Sequence, residues 1–142
     1  MKKFVLLISI LIFVSLTHCR KGYITVDDCV EYDYSDCITT KYSTAFIYLN
    51  FSLSDKIQKI PFELYKGNID DGELILRDTS SSKEFTLEGE FDVYYSVKAK
   101  YQNGENSYYV IDGGEAKRWS QKVCDSTCWH YEDLELDLSL EY

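Results

Sequence analysis

The chain has 142 residues and carries 24 acidic against 15 basic side chains, so its formal net charge at pH 7 is -9. Such a charge repels the phosphate backbone and argues against DNA or RNA as a partner. The 13 tyrosines, with one proline and one methionine, make a composition that favours strands over helices and predicts an all-β protein.

Residues 1–18 are predicted to be an export signal. Lys2 and Lys3 precede an apolar run from Phe4 to Val14, and a polar break follows. A permanent membrane helix needs about 20 apolar residues, so this segment is too short and is typical of a signal peptide that is removed. Its loss takes the net charge from -9 to -11, because the two lysines leave and no acidic residue does. About 120 residues then remain, which suits one domain working outside the cytoplasm.

Cys19 is the predicted lipidation site. Leu16-Thr17-His18-Cys19 resembles a bacterial lipobox, although His18 is bulky where such motifs carry a small residue. The chain has five cysteines, and assigning Cys19 to a thioether leaves an even set. We therefore expect a lipoprotein of the outer membrane or cell surface whose partner is the lipid bilayer, held through an N-terminal acyl anchor. The alternative is cleavage a few residues later, which would give a periplasmic or secreted protein.

The mature chain shows the strand and turn spacing of a single antiparallel β-sandwich. Residues 19–43 lack a clean period and are predicted to be a lipid-anchor tether with an irregular first strand, and residues 44–142 are predicted to be the sandwich domain. Polar segments at Asp78–Lys83 and Asp112–Gly114 are predicted to be a loop and a turn. The predicted strands cover residues 45–53, 60–65, 73–76, 84–87, 94–101, 107–111, 116–123 and 134–141.

Residues 94–101 carry the clearest two-residue period. One set of side chains is predicted to face the core: Tyr95, Val97, Ala99 and Tyr101. The alternating set is predicted to face outward: Tyr94, Ser96, Lys98 and Lys100. Asn103-Gly104 follows, and this pair supplies the positive φ angles of a tight hairpin turn.

Four segments, in order along the chain, resemble a known group of proteins: Pro61 to Gly72, Tyr94 to Tyr101, Val110 to Gly113 and Cys124 to Trp129. Over nearly the whole mature chain they are similar to small uncharacterised exported lipoproteins of Bacteroidetes-type bacteria. The resemblance implies an immunoglobulin-like or transthyretin-like β-sandwich and no particular activity. It also implies O-glycosylation at Ser126 or Thr127, because Asp125-Ser126-Thr127 is similar to the motif that such bacteria modify.

Four cysteines remain for chemistry: Cys29, Cys37, Cys124 and Cys128. In an oxidising compartment such a set is expected to form two disulfides. Residues four apart on a strand are about 13 Å apart, too far for a disulfide. Either Cys124 and Cys128 close a tight loop, or both reach the N-terminal pair, and three connectivities are open. The minor alternative is a thiol-based metal or redox site of Cys124, Cys128 and His130.

Aromatic side chains supply the candidate ligand-binding residues, which are Tyr94, Tyr108, Trp119 and Trp129. Together they could form an exposed platform that stacks on sugar rings. The competing interpretation is that they cover a half-buried sheet, with the ring packed and the polar end wet.

No nucleophile elbow, zinc-protease helix, phosphate loop or dinucleotide fingerprint occurs in the sequence. We therefore predict no catalytic residue, no cofactor and no metal. The predicted function is a non-catalytic interaction or structural module of the cell envelope. The alternative is a module that binds a glycan or an envelope protein through its aromatic surface.

Overall fold

The computed structural model describes Cys29 and residues 33–140. The predicted signal peptide, residues 1–18, and the predicted lipidation site, Cys19, lie outside the described residues. The chain divides into two compact units, Met1–Tyr34 and Ser35–Tyr142. In the first unit Cys29 is partly buried, and Asp33 and Tyr34 are exposed. Within the described residues, no helix has the length and apolar character that a membrane crossing requires.

The second unit is all-β, as the composition predicts. Its described residues form nine strands, which are β1 (Thr44–Asn50), β2 (Ile60–Lys66), β3 (Glu73–Ser80), β4 (Glu84–Glu90), β5 (Tyr94–Asn103), β6 (Asn106–Glu115), β7 (Lys117–Val123), β8 (Ser126–Glu132) and β9 (Leu134–Asp137).

The strands form a three-stranded sheet of order β4-β1-β9, a four-stranded sheet of order β3-β2-β5-β6 and the separate hairpin β7-β8. Strands β1 and β9 pair in parallel, and the other pairs are antiparallel. In a constant-type immunoglobulin domain the first two strands are neighbours in one sheet. Here β1 and β2 belong to different sheets, so the strand order is a different one.

The two larger sheets pack their inner faces against each other around one hydrophobic core. Every second residue of β1, β2 and β5 points into this core, because side chains alternate between the faces of a strand. The inward set predicted for β5 is confirmed, since Tyr95, Val97, Ala99 and Tyr101 are all buried. The predicted sandwich architecture is therefore observed.

Ser96 departs from the sequence prediction. It lies on the outer side of β5, as expected, but it is only 4% exposed. Its hydroxyl donates a hydrogen bond of 2.6 Å to the carbonyl oxygen of Gly67. The Gly67 amide in turn donates to the carbonyl of Tyr94 at 2.8 Å. The chain leaving β2, with Gly67 at a φ of 98°, therefore covers the outer side of β5 at this point.

Two predicted interruptions are parts of strands. The predicted loop at Asp78–Lys83 begins too early, because β3 pairs with β2 as far as Ser80. The predicted turn at Asp112–Gly114 is wrong, because β6 continues to Glu115 beside β5. The glycine there serves close packing: a Cβ atom on Gly113 would lie 2.6 Å from the Tyr94 hydroxyl oxygen. Glycine inside a strand indicates such an approach as well as a turn.

The sequence analysis missed β8 and expected an irregular strand before residue 44. Between residues 33 and 43 the structure has only the isolated bridge of Ile38 with Trp129. The turn between β7 and β8 contains Cys124 at a φ of 54°. Non-glycine residues rarely adopt this conformation, so the Cys124-Asp125 pair carried no recognisable hairpin signal.

Candidate functional site

The Cys37-Cys128 disulfide holds the β7-β8 hairpin and excludes the predicted tight loop. Cys37 is bonded to Cys128 across a sequence separation of 91 residues, so Cys124 and Cys128 do not form a tight loop. Cys29 and Cys124 are disulfide-bonded as well. The four sulfur atoms therefore do not provide the thiolates that a metal site at Cys124, Cys128 and His130 would need. Within the described residues, no group of three or more metal-ligating side chains is present.

Further contacts fix the hairpin on residues 37–43. The Tyr131 hydroxyl accepts a hydrogen bond from the Tyr42 amide at 3.0 Å and donates one to the Thr40 carbonyl at 2.6 Å. Arg118 donates to an Asp92 carboxylate oxygen and to the Tyr42 carbonyl oxygen, both at 2.9 Å. Sequence reasoning missed this network because it depends on β8, which was not predicted.

The two tryptophans lie on opposite faces of the hairpin. Trp119 is 51% exposed and stacks on the His130 ring, with a centroid distance of 5.4 Å and an interplanar angle of 13°. The Nε2 atom of His130 is buried and has no hydrogen-bond partner among the described residues. Trp129 directly precedes His130 on β8 and therefore points the other way. The Lys41 ammonium lies 4.8 Å from the centroid of the Trp129 ring.

The two tyrosines lie at opposite ends of the β5-β6 pair. Tyr94 begins β5, whereas Tyr108 is paired with Tyr101 near the other end. Seven residues along a strand separate these positions, which is about 23 Å. The four predicted aromatic residues are therefore dispersed and do not form one platform.

Tyr94 borders a depression of about 520 Å³ on the outer side of the four-stranded sheet. Its other lining residues are Asn68, Ile69, Asp70, Asp71, Ser96, Ile111, Asp112 and Gly113. The depression combines an aromatic ring with amide and carboxylate oxygens. These groups can stack on an apolar ring face and accept hydrogen bonds from hydroxyl groups.

The predicted glycosylation site lies at the hairpin turn. Asp125 and Thr127 are exposed, and Ser126 is partly buried. Modification at Ser126 or Thr127 stays a prediction, with Thr127 the more accessible of the two hydroxyls.

Surface hydrogen bonds shift the pKa values of four side chains. The hydrogen bond from Tyr65 and then that from Arg77 lower the pKa of Glu63, and the same bond to Glu63 raises the pKa of Tyr65. A hydrogen bond to Glu90 raises the pKa of Lys66. Hydrogen bonds from Ser139 lower the pKa of Asp137. Each shift has an ordinary surface partner, and none of the four groups lines the Tyr94 depression.

No protein-family model matches this chain, and no curated protein or solved structure is significantly similar to it.

Proposed function

We propose that this protein is a non-catalytic interaction or structural module of the cell envelope, exported and held at a membrane through an acyl group on Cys19. The observation that carries the proposal is the bonding state of the cysteines. Cys29, Cys37, Cys124 and Cys128 are all disulfide-bonded, a state typical of oxidising compartments outside the cytoplasm. Cys19 is then the one cysteine left for lipidation, five residues after the end of the apolar run.

The perturbed titratable groups support a non-catalytic role. Enzyme sites gather side chains whose pKa values are shifted by burial and specific partners inside a cleft. Here the pKa of Glu63 is shifted by hydrogen bonds from Tyr65 and Arg77, in a surface network. Such a surface network is typical of a sheet and differs from the buried cleft groups of an enzyme site.

The anchoring test replaces Cys19, the predicted acceptor of the acyl group. We expect the native chain to partition into the detergent phase, and Cys19→Ala to remain in the aqueous phase or to stay unprocessed. The matched variant is His18→Ala, which places a small residue where a lipobox usually has one and should raise the processed fraction. Equal partitioning of the native chain and Cys19→Ala would refute the anchor.

A second candidate function is glycan binding at the Tyr94 depression. It is favoured by the meeting of an exposed aromatic ring with Asn68, Asp70 and Asp71 around one concavity. Sugar-binding sites use such rings for the apolar ring face and such oxygens for the hydroxyl groups. Of the four predicted aromatic residues this function needs only Tyr94, so it does not require the four to form one platform.

The glycan test uses neutral hexose oligosaccharides as the probe. We expect Tyr94→Ala to lose binding and Tyr108→Ala to keep it, because Tyr108 is the matched exposed tyrosine at the other end of the same strand pair. Melting curves would check that both variants fold. Equal binding by the two variants would remove the Tyr94 depression as the site.

A further inference from the structure

The outer face of the three-stranded sheet is acidic, whereas the outer face of the four-stranded sheet carries a local cluster of cations beside the carboxylates of the Tyr94 depression. The outer positions of β1, β4 and β9 alternate with their buried core residues, and these three strands contain no lysine or arginine. Five carboxylates are exposed there, and one of them, Glu90, is paired with Lys66. We name the other four the acidic face, which are Glu84, Glu88, Glu135 and Asp137. At one end of this face a depression of about 660 Å³ adds Glu115, Glu132 and Asp133, against the single cation Lys117.

The four-stranded sheet presents a cluster of cations instead. Arg77, Glu63 and Lys98 lie side by side across β3, β2 and β5. Lys100 follows two residues after Lys98. We name Arg77, Lys98 and Lys100 the basic patch. All three line one depression of about 200 Å³, together with Pro61, Phe62, Glu63 and Tyr109.

The single carboxylate of the basic patch is already engaged. Glu63 accepts hydrogen bonds from Tyr65 and Arg77, at 2.7 and 2.9 Å. The Lys98 ammonium lies 4.7 Å from the Tyr109 ring centroid. In the part of the chain that the structure describes, neither Lys98 nor Lys100 has a carboxylate within ion-pair distance. The patch therefore holds a local positive excess on a chain whose net charge is -9.

Both faces also expose large apolar side chains beside their charges. Phe46 is 48% exposed on the acidic face, and its ring lies 6.2 Å from that of Tyr48. Tyr109 and Ile111 are exposed next to the basic patch. Aromatic rings among complementary charges are the usual composition of a protein-protein contact surface.

We infer that the basic patch of one molecule docks on the acidic face of a second copy of this chain. The two faces lie on opposite sides of one sandwich, because their strands share a single core between them. They cannot meet within one molecule. A contact between different surface patches is heterologous, and such contacts build stacks or closed rings and not isolated two-fold dimers. This inference gives the proposed interaction module a partner, and it does not depend on the Cys19 anchor.

The contact is expected to be weak for a single pair of molecules. Strands about 4.8 Å apart with a rise of about 3.3 Å per residue give a face of about 20 Å by 20 Å. That is well below the roughly 800 Å² per partner of a stable interface. The net negative charge also opposes approach, although ordinary salt screens charges more than about 10 Å apart and leaves touching pairs in place. Association should therefore increase steeply with concentration at about 0.1 M salt.

The test combines two charge-reversal variants of the full chain, exported to an oxidising compartment and purified in detergent. The first, Lys98→Glu with Lys100→Glu, removes the basic patch. The second, Glu84→Lys with Glu88→Lys, removes much of the acidic face. By sedimentation velocity we expect the native chain to form species larger than dimers as its concentration rises. Each variant alone should stay monomeric.

Mixing the two variants distinguishes this contact from every symmetric one. Each variant keeps one intact face, so the mixture should form one-to-one dimers that do not grow further. The matched controls are Lys56→Glu with Lys59→Glu and Asp36→Lys with Asp55→Lys, which make the same charge changes in exposed loops. These controls should associate as the native chain does. Lys98→Gln with Lys100→Gln, checked for folding by thermal melting, should show a smaller loss in the same direction.

Several outcomes would overturn the inference. A native chain that is monomeric up to millimolar concentration has no such contact. Growth of either variant beyond monomers means that the charged faces are not the interface. Equal loss in the loop controls means that net charge alone is responsible. Binding of a sulfated polysaccharide that requires Lys98 and Lys100, with no change in association, would assign the patch to an anionic glycan. Detergent partitioning of Cys19→Ala tests the anchor separately.

Discussion

At the scale of single residues, Tyr101 joins three parts of the sandwich. Its side chain is fully buried, and its hydroxyl donates to the Leu138 carbonyl at 2.6 Å and accepts from the Ser52 amide at 3.1 Å. Leu138 follows β9 and Ser52 follows β1, so a β5 side chain satisfies backbone groups at the end of the opposite sheet. Buried backbone groups need such partners because water cannot reach them.

Tyr101→Phe is therefore expected to lower the free energy of unfolding by about 1 to 3 kcal/mol, since the ring stays and two buried backbone groups lose a partner. Tyr108→Phe is the matched control, because Tyr108 is the cross-strand partner of Tyr101 but is 48% exposed. Its effect should stay within about 0.5 kcal/mol. Urea unfolding curves measure both changes, and equal effects would contradict the assigned role of the Tyr101 hydroxyl.

The pKa of Glu63 is lowered by the hydrogen bonds from Tyr65 and Arg77. The direction of this shift determines how the stability of the fold depends on pH. A carboxyl whose pKa is lower in the folded state stabilises the fold above its unfolded pKa of about 4.3 and loses this contribution as the pH falls through the folded pKa. Because the pair is near the surface, the contribution is about 0 to 1 kcal/mol. The stability difference between the native chain and Glu63→Gln should therefore be present at pH 7 and vanish at low pH. A difference that grew on acidification would have the wrong sign.

At the scale of the elements, the β7-β8 hairpin depends on residues 37–43. It belongs to neither large sheet, and a two-stranded hairpin alone is marginally stable in water. Contacts with residues 37–43 supply the stability that the isolated hairpin lacks. They are the Cys37-Cys128 disulfide, the Ile38-Trp129 bridge and the hydrogen bonds of Tyr131 and Arg118. The exposed Trp119 and the predicted glycosylation turn are thereby held in place.

Cys37→Ala with Cys128→Ala is expected to cost about 2 to 5 kcal/mol of stability, because the bond closes a long loop in the unfolded chain. Amide hydrogen exchange should accelerate more in β7 and β8 than in β5, which the core protects. Gln121→Ala is the matched control, since Gln121 is the exposed cross-strand neighbour of Cys128. Uniform acceleration across all strands would show that the disulfide stabilises the whole domain and not the hairpin in particular.

At the scale of the whole molecule, two sheets share one core, so they are expected to unfold together. Val97 is fully buried between them. A carboxylate there costs several kcal/mol, against a typical total stability of about 5 to 15. Val97→Asp should therefore abolish the cooperative melting transition of the domain.

The control for Val97→Asp is Thr86→Asp, which adds the same charge at an exposed position of β4. Its melting temperature should stay close to that of the native chain. Ser96, the sequence neighbour of Val97, does not serve as this control. Its burial and its bond to Gly67 make a carboxylate there costly as well. Similar melting temperatures for Val97→Asp and Thr86→Asp would contradict the assigned register of β5.

Local properties of this chain followed from its sequence. The two-residue period of β5 assigned the core positions Val97 and Tyr101 correctly, because strand geometry places alternate side chains on opposite faces. The hairpin after Asn103 was predicted correctly, but only Gly104, with a φ of 63°, has the positive φ predicted for both residues, because Asn103 is still paired with Asn106 in the strands. The presence of Cys29, Cys37, Cys124 and Cys128 in disulfides was predicted from the export signal, because exported proteins fold in an oxidising compartment.

Only the tertiary structure decided which distant segments meet. The parallel pairing of Ile47 with Leu134, the choice of Cys37 as the partner of Cys128 and the covering of Ser96 by Gly67 join residues far apart in the chain. Alternation along a strand says which side a residue faces, but it carries no information about the strand or loop that lies on that side. The dispersal of the four aromatic residues and the separation of the basic patch from the acidic face have the same cause. Both depend on the order of strands in the sheets, which is set by packing between residues that no local pattern connects.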